Sequence, residues 1–162
     1  MNYLKPLKLT SNLIEILIAG HYNYRSNLIV PNVSWGLGLS YEADLVILKP
    51  SNIAIEIEIK ITASDIKKDL SKKHHHNSNL FRQVYFAVPE SLKDNPYIPE
   101  YAGIFSIVYV EKWGNYTVNL YREAKLNKNY KKWDNEKRLK LCHLAAMRIW
   151  KLKTHLLNQK NR

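Results

Sequence analysis

The chain has 162 residues, 46% of them hydrophobic, and a formal net charge of +11. That length supports one domain with a substantial core, and that apolar content excludes a disordered chain. No apolar run approaches the ~20 residues of a membrane span, the first residues lack the apolar core of a signal peptide, and Cys142 is the single cysteine. These features exclude an intrachain disulfide and a cysteine-rich metal site, and point to a cytosolic protein.

The charge is unevenly placed. Residues 125–162 carry twelve Lys and Arg against Asp134 and Glu136, whereas residues 1–124 carry thirteen basic and twelve acidic groups. A basic excess confined to one end favours a polyanionic partner, nucleic acid before a membrane surface.

Residues 9–22 read as a helix, with Leu13, Ile16 and Leu17 at helical spacing, Thr10 or Ser11 as cap and Gly20 near its end. Glu15 is the one acid on it. Residues 27–35 read as a strand that Pro31 consigns to an edge or a bend, followed by a turn at Gly36 and Gly38. Residues 42–48, EADLVIL, are apolar on both faces after Asp44 and read as a central strand.

A tight turn through Pro50 leads into NIAIEIEIKIT. There Ile53, Ile55, Ile57, Ile59 and Ile61 alternate with Ala54, Glu56, Glu58 and Lys60, the period of a strand. Burying an isoleucine contributes roughly 1.5–3 kcal/mol, so five on one face hold the register. If Lys49 pairs with Ile53 across the turn, opposing residue numbers sum to 102 and Asp44 faces Glu58 on the neighbouring strand.

Residues 63–76 read as a helix with Ser64 and Asp65 as caps and Ile66 and Leu70 as its apolar pair, ending in Lys72, Lys73 and His74 to His76. Residues 83–88, QVYFAV, form the next strand. Strand, helix, strand in this order reads as a crossover unit with parallel pairing. A helical turn near residues 91–95 and strands at 102–111 and 116–121 follow. Residues 127–135 read as a polar linker, and residues 135–158 as a long helix. Its apolar stripe is Leu139, Cys142, Ala146, Ile149, Leu152 and Leu156, with Arg138, Lys140, Arg148, Lys151 and Lys153 at the margins. Cys142 is expected in the buried face of that helix.

Two carboxylates converging from adjacent strands make a hard, oxygen-rich site suited to Mg²⁺ or Mn²⁺. A lysine two residues after the glutamate stays on its face and can hold or deprotonate an attacking water, or stabilise a transition state as a cation. An additional acid from an early helix would complete the shell, and Glu15 is the candidate.

ADLVIL, then EIEIKIT, a charged helix and VYFAVPE together resemble the PD-(D/E)XK nuclease superfamily, and within it the MmcB-like DNA-repair proteins and related phage and bacterial proteins. The resemblance spans residues 42–103. It implies an α/β fold, a restriction-endonuclease-like α-β-β-β-α-β core with a central mixed sheet, here with an added basic C-terminal helix. It also implies divalent-metal-dependent hydrolysis of DNA phosphodiesters in repair, phage or mobile-element DNA metabolism. Asp44 and Glu58 are carried over as metal ligands and Lys60 as the catalytic lysine, with Asp65 and Asp69 matching helix aspartates of the family. Ala43 stands where the family's name has proline. Residues 1–124 would form the nuclease-like domain, with 125–162 a basic segment packed on or extending it.

Glu56 and Glu42 share the parity of the acids and read either as further acceptors around the metal or as ordinary solvated or structural acids. Lys72, Lys73, His75, Arg138 and Lys140 are the expected nucleic-acid contacts. The alternative to a nuclease is a catalytically inactive nucleic-acid-binding protein that keeps the fold. A third reading is a protein-interaction module whose basic helix binds an acidic partner.

Overall fold

A computed structural model describes residues 8–34, 36–70 and 79–160. One six-stranded sheet, in sequential order, organises them. Helix α1 (Ser11–His21) precedes an antiparallel run of β1 (Leu28–Val33), β2 (Ala43–Leu48) and β3 (Ala54–Ile59). Helix α2 (Ala63–Leu70) crosses over to β4 (Gln83–Pro89), parallel to β3. Then come β5 (Gly103–Val110), parallel to β4, antiparallel β6 (Asn115–Arg122) and the long helix α3 (Asn135–Lys160).

The turn before β3 sets the register as its length predicts. Lys49 N–H donates to the Ile53 carbonyl at 2.9 Å, Asn52 takes the left-handed conformation (φ 63°), and Leu45↔Ile57, Val46↔Glu56 and Leu48↔Ala54 oppose one another. Pro31 lies on β1, an edge strand, where a missing N–H leaves no ladder bond unmade on the open side.

Both faces of the sheet are covered, as a parallel crossover demands. On the first face Ile55, Ile57 and Ile59 pack with Leu45, Ile47, Tyr85, Phe105 and the α1 residues Ile14 and Ile18. On the second face, Val30, Val46, Leu48 and Ala54 pack beneath Leu141, Leu144 and Trp133, while Ile66 of α2 packs on Val84, Phe86 and Ile104.

Several sequence expectations change. The buried side of α1 runs through Ile14 and Ile18, with Leu17 half-buried, and Ile16 points to solvent. Ile53 is half-buried and Ile61 exposed, so the isoleucine face is three residues deep within the strand. The cap of α2 is Thr62, whose Oγ1 accepts the Asp65 N–H at 3.2 Å and donates to its carboxylate at 2.6 Å. Residues 127–133 are not a free linker. Tyr130 Oη donates to the Asn52 carbonyl at 2.7 Å, and Trp133, 2% exposed, donates its indole N–H to the Leu80 carbonyl at 2.7 Å.

The stripe expected to bury α3 faces water instead. Leu141 and Leu144 make the contact with the sheet, while Leu139, Ile149, Leu152 and Leu156 are exposed and so is Cys142. Arg148, on the inner side, donates to the Asn32 carbonyl.

Candidate active site

Asp44 sits where the regular ladder of the sheet is interrupted. The β1–β2 register passes from Pro31↔Leu45 to Val33↔Ala43 and skips Asn32 and Asp44. Asn32 has φ 54°, a conformation asparagine tolerates better than most residues. Ala43 packs with Val33 on the second face although Leu45 and Ile47 face the first, so strict alternation ends at Asp44. The β2–β3 ladder also stops at Leu45↔Ile57. Beyond it the Asp44 carboxylate takes over, with Oδ2 accepting the Ile59 N–H at 2.8 Å.

Ile59 is the central residue of Glu58-Ile59-Lys60. Its side chain packs into the first face. Glu56, Glu58 and Lys60 therefore stand on the second, 0%, 2% and 8% exposed. Their in-register neighbours are Val46 on one side and Val84 and Phe86 on the other. The three charges thus form a polar seam between two apolar clusters, where an uncompensated charge is costly. Compensation is visible. Lys60 Nζ donates to Glu58 Oε2 at 2.7 Å, and Tyr41 Oη donates to Glu56 Oε2 at 2.9 Å. Burial and then the Glu56 and Glu58 carboxylates hold the Tyr41 phenol well above its ordinary range, so it stays a donor.

Glu15 rises from α1, the helix on the first face. Burial, and after it the negative charge of Asp44, raises its carboxyl above the usual range. Asp44 therefore joins the two sides, in electrostatic reach of Glu15 and bonded to the backbone between Glu58 and Lys60. Carboxylate oxygens are the donors that Mg²⁺ and Mn²⁺ prefer, and acids whose mutual repulsion raises a pKa are relieved by a cation. Asp44 and Glu15 meet a divalent ion's donor chemistry in these respects, and Asp44 is bonded to the amide that follows Glu58. Among the described residues no three His, Cys, Asp or Glu side chains form a ready metal-holding group.

The other expected residues are dispersed. Glu42 is exposed. Asp65 is bonded to Thr62, the cap of α2. Arg138 is half-buried and its guanidinium clamps the β2–β3 turn, donating to the Lys49 carbonyl at 2.8 Å and to Asn52 Oδ1 at 2.6 and 2.8 Å. Those bonds commit it to the fold rather than to a phosphate. Lys140 is exposed and pairs with Glu136 at 2.8 Å. Lys72, Lys73, the histidine run including His75, and the side chain of Asp69 lie outside the described residues. Sequence reasoning missed Tyr41, which precedes β2 and reaches Glu56 through a loop that no periodicity describes.

No helix among the described residues is long and apolar enough to cross a membrane. No protein-family model matches the chain, and no curated protein matches it at a significant level. Among solved structures it is similar to the SPO1766 protein of unknown function from Silicibacter pomeroyi, with a TM-score of 0.65 and 16% identity over 96% of this chain and 97% of that one. A likeness at this identity shows a shared fold and nothing about activity.

Proposed function

We propose that the chain is a divalent-metal-dependent nuclease of the PD-(D/E)XK type acting on DNA. The observation that carries this reading is the Asp44 carboxylate held 2.8 Å from the Ile59 amide, at the middle of Glu58-Ile59-Lys60. The order α1-β1-β2-β3-α2-β4, with an antiparallel meander and then a parallel crossover, supports it, because the resemblance implies that order. In this reading Asp44 and Glu58 hold Mg²⁺ or Mn²⁺, with Glu15 beside Asp44. Such an ion supplies Lewis acidity towards the scissile phosphate and lowers the pKa of water. Lys60 presents its ammonium next to Glu58, where it can orient water or stabilise developing negative charge.

A second reading, an inactive nucleic-acid-binding protein with the same fold, is favoured by one observation. Glu58 and Lys60 form a buried ion pair. Duplex, single-stranded and branched DNA incubated with Mg²⁺ or Mn²⁺ separate the two. The nuclease reading expects cleavage by the wild type and at least a ~100-fold loss in a folded Lys60→Ala variant. Salt-dependent DNA binding without cleavage under either metal supports the second reading.

A further inference from the structure

Helix α3 carries an apolar face that the rest of the molecule leaves open. Leu139, Ile149, Trp150, Leu152, Leu156 and Leu157 are between 48% and 71% exposed. Leu139, Cys142, Ala146, Ile149, Lys153 and Leu156 follow one another at alternating steps of three and four residues. Alternating steps of three and four are the heptad seam of a helix packed along another helix. The upper end of the seam opens into a groove of about 580 Å³ lined by Gly36, Leu139, Lys140, Cys142, His143 and Leu144.

We infer that this face of α3 docks an acidic amphipathic helix of a partner protein. The charge on the seam selects that occupant. Lys153 interrupts the apolar stripe between Ile149 and Leu156, its ammonium 5.4 Å from the centroid of the Trp150 ring. Docking buries that charge, so the occupant must bring a carboxylate to it. A second copy of α3 brings none. Residues 137–160 contain no acid, and Glu136, in the first turn, is paired with Lys140. Seven Lys and Arg against one acid along the helix also set one copy against another. Nucleic acid answers the cations but gives the exposed leucines and Ile149 nothing to pack against. A lipid surface takes a broad apolar face and does not require a heptad seam interrupted by a lysine.

The test uses the full-length protein and a synthetic amphipathic peptide of about four heptads, with Leu at a and d, Glu at e and g, and one Glu facing Lys153. Fluorescence anisotropy should show saturable binding. Ile149→Ser with Leu156→Ser, both exposed and therefore compatible with folding, should weaken it at least about tenfold. Lys153→Glu should weaken it similarly and regain affinity for a peptide carrying Lys in place of the facing Glu. Absence of binding, or binding indifferent to all three changes, overturns the inference. So does a dimer of the wild type in sedimentation that Ile149→Ser abolishes, or binding to phosphatidylserine vesicles with none to the peptide.

Discussion

The Asp44 carboxylate of β2 accepts the backbone N–H of Ile59 on β3 at 2.8 Å, one step beyond the last backbone pair between those strands. A side chain thus replaces a main-chain acceptor at the point where the strands part. The same contact ties the Asp44 carboxylate to the backbone between Glu58 and Lys60. Asp44→Ala leaves the Ile59 N–H without this acceptor and should lower stability by about 1–3 kcal/mol in urea denaturation. Asp44→Asn keeps an oxygen for that bond and should cost less than half as much. Equal losses would mean that the charge, and not the hydrogen bond, supports the strand end.

Breaking the Glu58–Lys60 contact from one side removes half of a 2.7 Å ion pair from a site 2% to 8% exposed. Lys60→Ala or Glu58→Gln alone should cost about 3–5 kcal/mol, whereas Lys60→Met combined with Glu58→Gln should recover a large part of that loss. A double-mutant cycle by chemical denaturation measures the coupling. Additive single losses would show that the two groups are stabilised independently.

Glu15 gives a pH signature. Its folded carboxyl titrates above the unfolded value because of burial and then Asp44. The folded state therefore holds this proton more tightly. The resulting contribution is full below the unfolded pKa and is lost as pH rises through the folded one. Glu15→Gln should remove that loss and raise the thermal midpoint at pH 7.5 by about 1–2 °C, with no difference left near pH 4. Half-exposure keeps the effect small. A midpoint lowered at neutral pH would contradict the sign.

Gly103 allows β5 to pass under Tyr85. A Cβ there would lie 2.3 Å from the Tyr85 ring and 2.7 Å from the Ala124 nitrogen. The ring has little room to yield, since it stacks on Phe105 and donates its hydroxyl to Glu123 at 2.8 Å. Gly103→Ala should destabilise by about 1–3 kcal/mol or more, read as a lowered urea midpoint with unchanged slope. A neutral substitution would show that the close approach relaxes freely.

The sheet was legible where local geometry leaves few choices. The alternation around Ile55 to Ile59 identified a strand, and the short turn at Pro50 fixed the sum of opposing residue numbers at 102. Burial was far less legible. Glu56, Glu58 and Lys60 resemble a solvated face in sequence, and only the crossover through α2 and the reach of Tyr41 reveal a covered one. Helix α3 misled for the opposite reason. Its most regular apolar stripe faces solvent, and the less regular Leu141 and Leu144 meet the sheet. Helical periodicity identifies an apolar face but not the surface it meets. The break at Asn32 and Asp44 needed the register of three strands at once, which no single stretch of sequence contains.

Calorimetric titration of Mn²⁺ into the wild type and into Asp44→Asn decides whether the Asp44 carboxylate holds a cation. Saturable binding is expected for the wild type and its loss in the variant, whose apoprotein still unfolds in one cooperative transition with a smaller fall in midpoint than Asp44→Ala. Equal Mn²⁺ affinity in both proteins, or none in the wild type, would contradict a metal site built on Asp44 and Glu58.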